Sequence, residues 1–284
     1  AAGASAEAAA SAPPPARWIV FAGTPPGVRA SQLFRIRTSG KGLKQLTSGQ
    51  LPSIAPNFSP DGKRIAFARN GVGILMMNID GTGLHRLTTN PRDSFPAWSP
   101  DGTQITFVRP STTAWNVVVM PAKGGKQSRL RQAPSSGRPT WSTHGFLIPS
   151  GGDLLRIDPL TGHVQKYYDA DIDATWGMNT VAISPAATLL TFVGARNPDP
   201  GDLDCGDGPC PRFALYTESI KKASRPKLLA KDAGPATFSP DGRQLAFVAK
   251  GGLVLWTLAN GTSRLVATGT AYPNATAPPA WQPR

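Results

Sequence analysis

The chain has 284 residues, 40% of them hydrophobic, with 30 glycines, 29 prolines and a formal net charge of +13. That much glycine and proline without a collagen period excludes a fibrous chain and points to many short strands joined by turns. No apolar stretch approaches the roughly 20 residues that cross a membrane as a helix.

Residues 1–16 are small and proline-rich, with no core-forming pattern. They read as a flexible leader, either a linker or what is left once a signal peptide is removed. Residues 17–284 read as a single repeat domain. Its first strand signal is RWIVFA from Arg17, followed by LFRI at Leu33 and KQL at Lys44. A turn motif then begins to recur: FSPDG at Phe58–Gly62, WSPDG at Trp98–Gly102 and FSPDG at Phe238–Gly242.

In Ser-Pro-Asp-Gly, proline presets φ at about −65° for the second turn position, aspartate tolerates the third, and glycine accepts the left-handed conformation that follows. Each copy therefore reads as a tight hairpin between two strands. An apolar aromatic residue precedes it, and an alternating segment follows: KRIAFA, TQITFV and RQLAFV. Degenerate relatives stand at Trp141 (WSTHG), Ile183 (ISPAA) and Trp281 (WQPR). The anchors 58, 98, 141, 183, 238 and 281 are 40 to 43 residues apart, except for one spacing of 55. That period suits four strands per unit, the spacing of a β-propeller blade.

Each unit parses as A, B, C and D strands, with C strands such as ILMMNI and LVLWTL and D strands such as HRL and SRLVA. At the ends, RWIVFA is a strand B with no strand A before it, and PAWQPR is a strand A with no strand B after it. Joined, they complete one blade. The expected fold is all-β: a six-bladed propeller of four-stranded antiparallel blades, its ring closed by the C-terminal strand pairing with the N-terminal strands, so that no sheet edge is left at the seam.

The stretch FSPDGKRIAFARNGVGILMMNIDGTGLHRLTTNPRDSFPAWSPDG from Phe58 to Gly102 resembles the TolB family of WD40-like propeller repeats, and the likeness extends over about residues 17 to 284. The resemblance implies an exported protein, periplasmic, at the cell surface or secreted, that binds other envelope proteins. It implies a fold and a repeat type rather than an activity.

Propeller topology sorts the loops. D-to-A and B-to-C connections surround one mouth of the central channel, and A-to-B and C-to-D hairpins share the other face. The SPDG side is short and regular, whereas the B-to-C loops vary, from RNGVG at Arg69 to the stretch from Gly194 to Arg212. Function concentrates where loops vary. The candidate partner-binding residues on that face are Arg29, Arg92, Asp93, Trp115, Arg138, Trp176, Asn179, Arg196 and Arg212.

The long insertion carries Cys205 and Cys210, close enough in a glycine- and proline-rich loop to form a disulfide; two free thiols are the alternative. It also carries Asp199, Asp202, Asp204 and Asp207, a weak calcium candidate. The spacing does not match an EF-hand loop, so a solvated acidic loop is preferred and no cofactor is expected.

Much of the positive charge falls in C-to-D turns and outer D strands, as at Lys41, Lys44, Arg86, Lys123, Arg129, Lys227 and Arg264. Charged edge strands discourage edge-to-edge aggregation, which suits a monomer. A weak attraction to anionic envelope polymers is a secondary consequence. Aromatic residues do not alternate with bases on a strand face, which argues against nucleic acid. No nucleophile elbow, Walker loop or HExxH motif occurs, and His85, His144 and His163 fall at separate outer positions. The chain therefore reads as a non-catalytic protein- or peptide-binding scaffold. The alternative is a channel-lining enzyme acting on a carbohydrate or peptide, which needs ionisable side chains converging on the channel.

Overall fold

A computed structural model of the chain describes residues 17–112, 115–133, 140–142, 145–150, 153–158, 163–168, 180–194, 214–220, 227–249, 252–268 and 277–283. These form 24 β-strands in six four-stranded antiparallel sheets. The seam blade joins β24 (Ala280–Trp281) to β1 (Trp18–Gly23), β2 (Gln32–Arg37) and β3 (Lys44–Gln45). The second blade is β4 (Ser53–Phe58), β5 (Arg64–Arg69), β6 (Gly73–Asn78) and β7 (His85–Arg86). The third is β8 (Ser94–Trp98), β9 (Gln104–Pro110), β10 (Trp115–Pro121) and β11 (Ser128–Ala133). The fourth is β12 (Thr140–Ser142), β13 (Gly145–Ser150), β14 (Asp153–Ile157) and β15 (Val164–Tyr168). The fifth is β16 (Val181–Ile183), β17 (Leu189–Gly194), β18 (Ala214–Ser219) and β19 (Lys227–Lys231). The sixth is β20 (Thr237–Phe238), β21 (Gln244–Ala249), β22 (Gly252–Thr257) and β23 (Thr262–Ala267).

The period-2 pattern of the B strands assigns each side chain to one of two neighbouring blades. In β5, Ile65 and Phe67 pack with Val20, Leu33 and Ala280 of the seam blade. Ala66 and Ala68, on the opposite face, pack with Trp98, Ile105 and Phe107 of the third blade. Both faces of the sheet are thus buried, and the large-small alternation fits the wedge between blades. The same arrangement links sixth blade to seam blade, where Ala246, Val248 and Leu255 meet Ile19, Phe21 and Trp281.

The ring closes as the chain ends demand. Ile19 pairs with Trp281 and Val20 with Ala280. Every base of the outer turns and D strands named above is exposed.

The repeated turns have one construction. Gly62, Gly102 and Gly242 take φ of 67°, 71° and 70°. The serine hydroxyl donates to the aspartate two residues on, at 2.5 Å from Ser59 to Asp61 and 2.6 Å from Ser99 to Asp101. Adjacent turns also nest: a Cβ on Gly102 would stand 3.6 Å from Pro60 of the preceding blade, and one on Gly242 would stand 3.4 Å from Pro185. In the degenerate turn of the fifth blade, Ala187 holds the glycine's left-handed place at φ 48°.

Two of the A strands depart from regular strand geometry. Both β4 and β8 are bulged, at Ala55-Pro56 and Phe95-Pro96, with Ala55 at φ 53° and Phe95 at φ 52°. Proline has no amide to offer the ladder, so the bulge falls where the sequence places it.

Candidate ligand-binding face and channel

The six A strands surround a central channel of about 490 Å³. Its described wall is built mostly of proline, alanine, aromatic and hydroxyl-bearing side chains, with Asn57, Val181 and Ile183 among them. Pro60, Pro100, Pro185, Pro240 and Pro283 ring the end formed by the A-to-B turns. The left-handed Ala55 and Phe95 face the same channel. Phe95 stacks on Trp115, at the start of β10, with ring centroids 6.4 Å apart.

At the opposite mouth the connecting loops are tied to one another. Gln32 donates from Nε2 to the carbonyls of Gly49 (3.0 Å) and Leu51 (3.3 Å), joining the start of β2 to the β3–β4 loop. The Ser53 amide donates to Ser31 O, and the Asn70 amide donates to Pro52 O. Next along the ring, a Cβ on Gly73 would stand 2.6 Å from the carbonyl oxygen of Asn90, so the β5–β6 hairpin lies tight under the β7–β8 connection.

Four of the residues expected on this face are described. Arg29 is exposed in the β1–β2 loop and Arg92 is exposed in the β7–β8 connection. Trp115 is half-buried against Phe95. Asp93 is buried, its carboxylate wholly inaccessible, and it accepts two hydrogen bonds from Arg109, Nε to Oδ1 at 2.7 Å and Nη2 to Oδ2 at 2.8 Å. Arg109 also donates to Gln127 Oε1 at 2.7 Å. Hydrogen bonding to Asp93 raises the Arg109 pKa against the opposing effect of burial. Arg138, Trp176, Asn179, Arg196 and Arg212 lie outside the described residues, as do Cys205, Cys210, Asp199, Asp202, Asp204 and Asp207. The leader expected over residues 1–16 also lies outside the described residues.

A residue that sequence reasoning passed over shares this face. Arg69 ends β5 as Arg109 stands near the end of β9: each closes the repeated B-strand segment, RIAFAR and QITFVR. Its Nε donates to Ser53 Oγ at 3.1 Å, and its guanidinium lies 5.8 Å from the Phe67 ring, as that of Arg109 lies 5.5 Å from Phe107. Burial lowers the Arg69 pKa. Aligning the two repeats places Ser53 opposite Arg69 where Asp93 stands opposite Arg109, which is the signal that would have singled it out.

The TolB beta propeller domain family matches residues 3–149, more than half of the chain. The chain belongs to the TolB beta propeller family. Over 161 residues, 52% of this TolB-family chain, it is 32% identical to a protein TolB homolog of Chlorobium luteolum and covers 35% of that protein. An uncharacterized protein of Agrobacterium fabrum is 27% identical over 34% of the chain and 37% of its own length. The TolB-family chain therefore spans about a third of the length of the curated relatives it matches. Among solved structures, TolB from Acinetobacter baumannii superimposes with a TM-score of 0.70 at 16% identity, covering 94% of this chain and 67% of that one. An oligogalacturonate lyase in complex with manganese superimposes with a TM-score of 0.51 at 13% identity, covering 84% of this chain and 71% of the lyase. At such identities the likeness is one of fold. No helix among the described residues is long and apolar enough to cross a membrane, and no cluster of metal-ligating side chains occurs among them.

Proposed function

We propose that this TolB-family propeller is a non-catalytic, exported scaffold that binds a protein or peptide partner of the cell envelope through the face carrying its B-to-C and D-to-A loops. One observation carries the reading: on that face the described connections of the seam and second blades are tied together by backbone and glutamine hydrogen bonds, through Gln32, Ser31, Ser53, Pro52 and Asn70. A surface ordered before binding loses little entropy on association, which suits recognition of an extended partner. On the opposite face the three Ser-Pro-Asp-Gly turns are short and alike, and those at Gly102 and Gly242 nest on the turn of the preceding blade.

A channel-lining enzyme, the second reading, needs acid, base or metal-holding groups directed at the axis. The described channel wall instead presents proline, alanine, aromatic, aliphatic and hydroxyl groups with the one amide of Asn57, which favours the scaffold. The monomeric state, which the charged outer strands suit, and the exported location, periplasmic, cell-surface or secreted, which likeness to the TolB relatives supports, are part of the same proposal.

The test is affinity capture from envelope extract with the whole chain, with Arg29→Glu/Arg92→Glu, and with Lys63→Glu/Arg243→Glu on the other face. Retention of a defined partner by the first and third proteins, and its loss from the second, is the expected result. Equal capture by all three overturns the assignment of the face.

A further inference from the structure

The second and third blades carry the same arginine in two electrostatic states. In the third blade, Arg109 holds the carboxylate of Asp93 in a two-pronged pair. In the second blade, Ser53 and Arg69 are cross-strand partners at the corresponding position, and a serine hydroxyl takes only the Nε hydrogen bond. The Nη2 group that completes the pair in the third blade has no such partner in the second. Among the described residues no carboxylate pairs with Arg69. Removing a guanidinium from water without a counter-charge is unfavourable, and an arriving carboxylate relieves that cost while making two parallel hydrogen bonds.

We propose that the slot between Ser53 and Arg69 is a docking site for a carboxylate on a peptide segment of the partner. The proposal deepens the scaffold reading and rests on it. The third blade supplies the template: a carboxylate fits against this arginine at this place in the fold, in a planar geometry that matches the guanidinium fork. The surroundings suit a peptide carrying apolar side chains beside the acid. Leu51, two residues before Ser53, is 46% exposed, and Val28, three residues before Ser31, is 40% exposed. Leu51 is fixed by the bond from Gln32 to its carbonyl, and the Ser53 amide is fixed on Ser31. Arg29, in the β1–β2 loop, and Arg92, in the β7–β8 connection, are exposed and add positive charge to the same face, which suits an acidic-apolar segment.

The fold also provides its own competitor. Ser53→Asp places in the second blade the carboxylate that the third already contains, so it occupies Arg69 internally and closes the slot without disturbing the strand pairing.

The experiment follows the Nε–Hε resonance of Arg69 in the whole chain by ¹⁵N–¹H NMR during titration with acetyl-Leu-Asp-Leu-amide, acetyl-Leu-Asn-Leu-amide or inorganic phosphate. A saturable shift with the aspartyl peptide is expected, with an apparent Kd at least about tenfold below that of the asparaginyl peptide or phosphate, a difference of about 1.4 kcal/mol. Ser53→Asp abolishes the response, as does Arg69→Gln monitored by the backbone amides of Ser53 and Asn70. If Ser53→Asp fails to fold, Arg69→Gln decides alone. Equal response to the asparaginyl peptide, binding of phosphate as tight as that of the peptide, or an undiminished response in the variants overturns the proposal. Envelope capture that persists in Ser53→Asp but is lost in Arg29→Glu/Arg92→Glu removes the carboxylate slot and leaves the scaffold reading intact, whereas loss of neither removes both.

Discussion

Trp18 and Gln282 hold each other through two hydrogen bonds: the Gln282 amide donates to Trp18 O at 2.9 Å, and the Trp18 amide donates to Gln282 Oε1 at 3.3 Å. The same glutamine donates from Nε2 to Gly62 O of the second blade at 3.2 Å, while Trp281 donates from Nε1 to Thr237 O of the sixth blade at 3.2 Å. The last residues of the chain thus fasten three blades at once. Trp18 is itself covered by the guanidinium groups of Arg35 and Arg37, 4.4 and 4.5 Å from its ring.

The seam should therefore govern global stability. Trp281→Ala empties a buried aromatic site shared by two blades and is expected to cost about 3–5 kcal/mol. Gly62→Ala should also destabilise, since φ is 67° and the new Cβ would lie 3.0 Å from Gln282 Cγ. Urea denaturation measures both. Unchanged midpoints would mean that the ring does not depend on this closure.

Ala187 occupies a turn position that three other blades give to glycine. A left-handed alanine is strained by roughly 1–2 kcal/mol. Ala187→Gly is expected to raise stability by about 1 kcal/mol, and Gly102→Ala to lower it by at least as much. Paired chemical melts of the two variants test the sign as well as the size.

The Asp93–Arg109 pair is structural in the third blade. Asp93→Asn removes the charge from a carboxylate with no solvent exposure and leaves a guanidinium of 28% exposure without its partner. The expected loss is about 2–3 kcal/mol, read from the urea midpoint. A loss below 0.5 kcal/mol, in the range of an ordinary surface substitution, would contradict the pairing.

The turn aspartates set an acid limit. The hydrogen bond from Ser59 holds the Asp61 pKa below its ordinary 3.8, and that from Ser99 does the same for Asp101. For Asp241 burial raises the pKa, but the hydrogen bonds from Ser239 and the Arg243 amide outweigh it. A carboxylate depressed in the folded state contributes stability that is full above its unfolded pKa and is lost as pH falls through the folded value. Stability should accordingly respond little to these groups between pH 7 and 5 and fall below about pH 4. The triple variant Asp61→Asn/Asp101→Asn/Asp241→Asn should show a shallower acid decline in a pH series of melts. An identical slope in wild type and variant would assign acid sensitivity elsewhere.

Much of the fold was legible in sequence because it is written locally. Each hairpin is specified within five residues by proline, aspartate and glycine, and the large-small alternation of IAFA already encodes contact with two neighbouring blades. The complementary ends, WIVFA and PAWQ, told where the ring closes. The site was less legible because its chemistry depends on cross-strand partners. Asp93 and Arg109 are sixteen residues apart, and nothing local distinguishes an aspartate that neutralises an arginine from one that faces solvent. Arg69 escaped notice for the same reason: its significance lies in the serine opposite it. The bulges at Ala55 and Phe95 were hidden by their surroundings, since a proline in an A strand signals an interruption without saying which residue turns left-handed.

The most direct test of the account is site-specific photocrosslinking in living cells, with p-benzoylphenylalanine placed in turn at Val28, Leu51 and Lys63. Adducts of defined mass from Val28 and Leu51, with Lys63 silent, are predicted. Adducts from Lys63 with Val28 and Leu51 silent would put the working surface on the turn face and contradict the account.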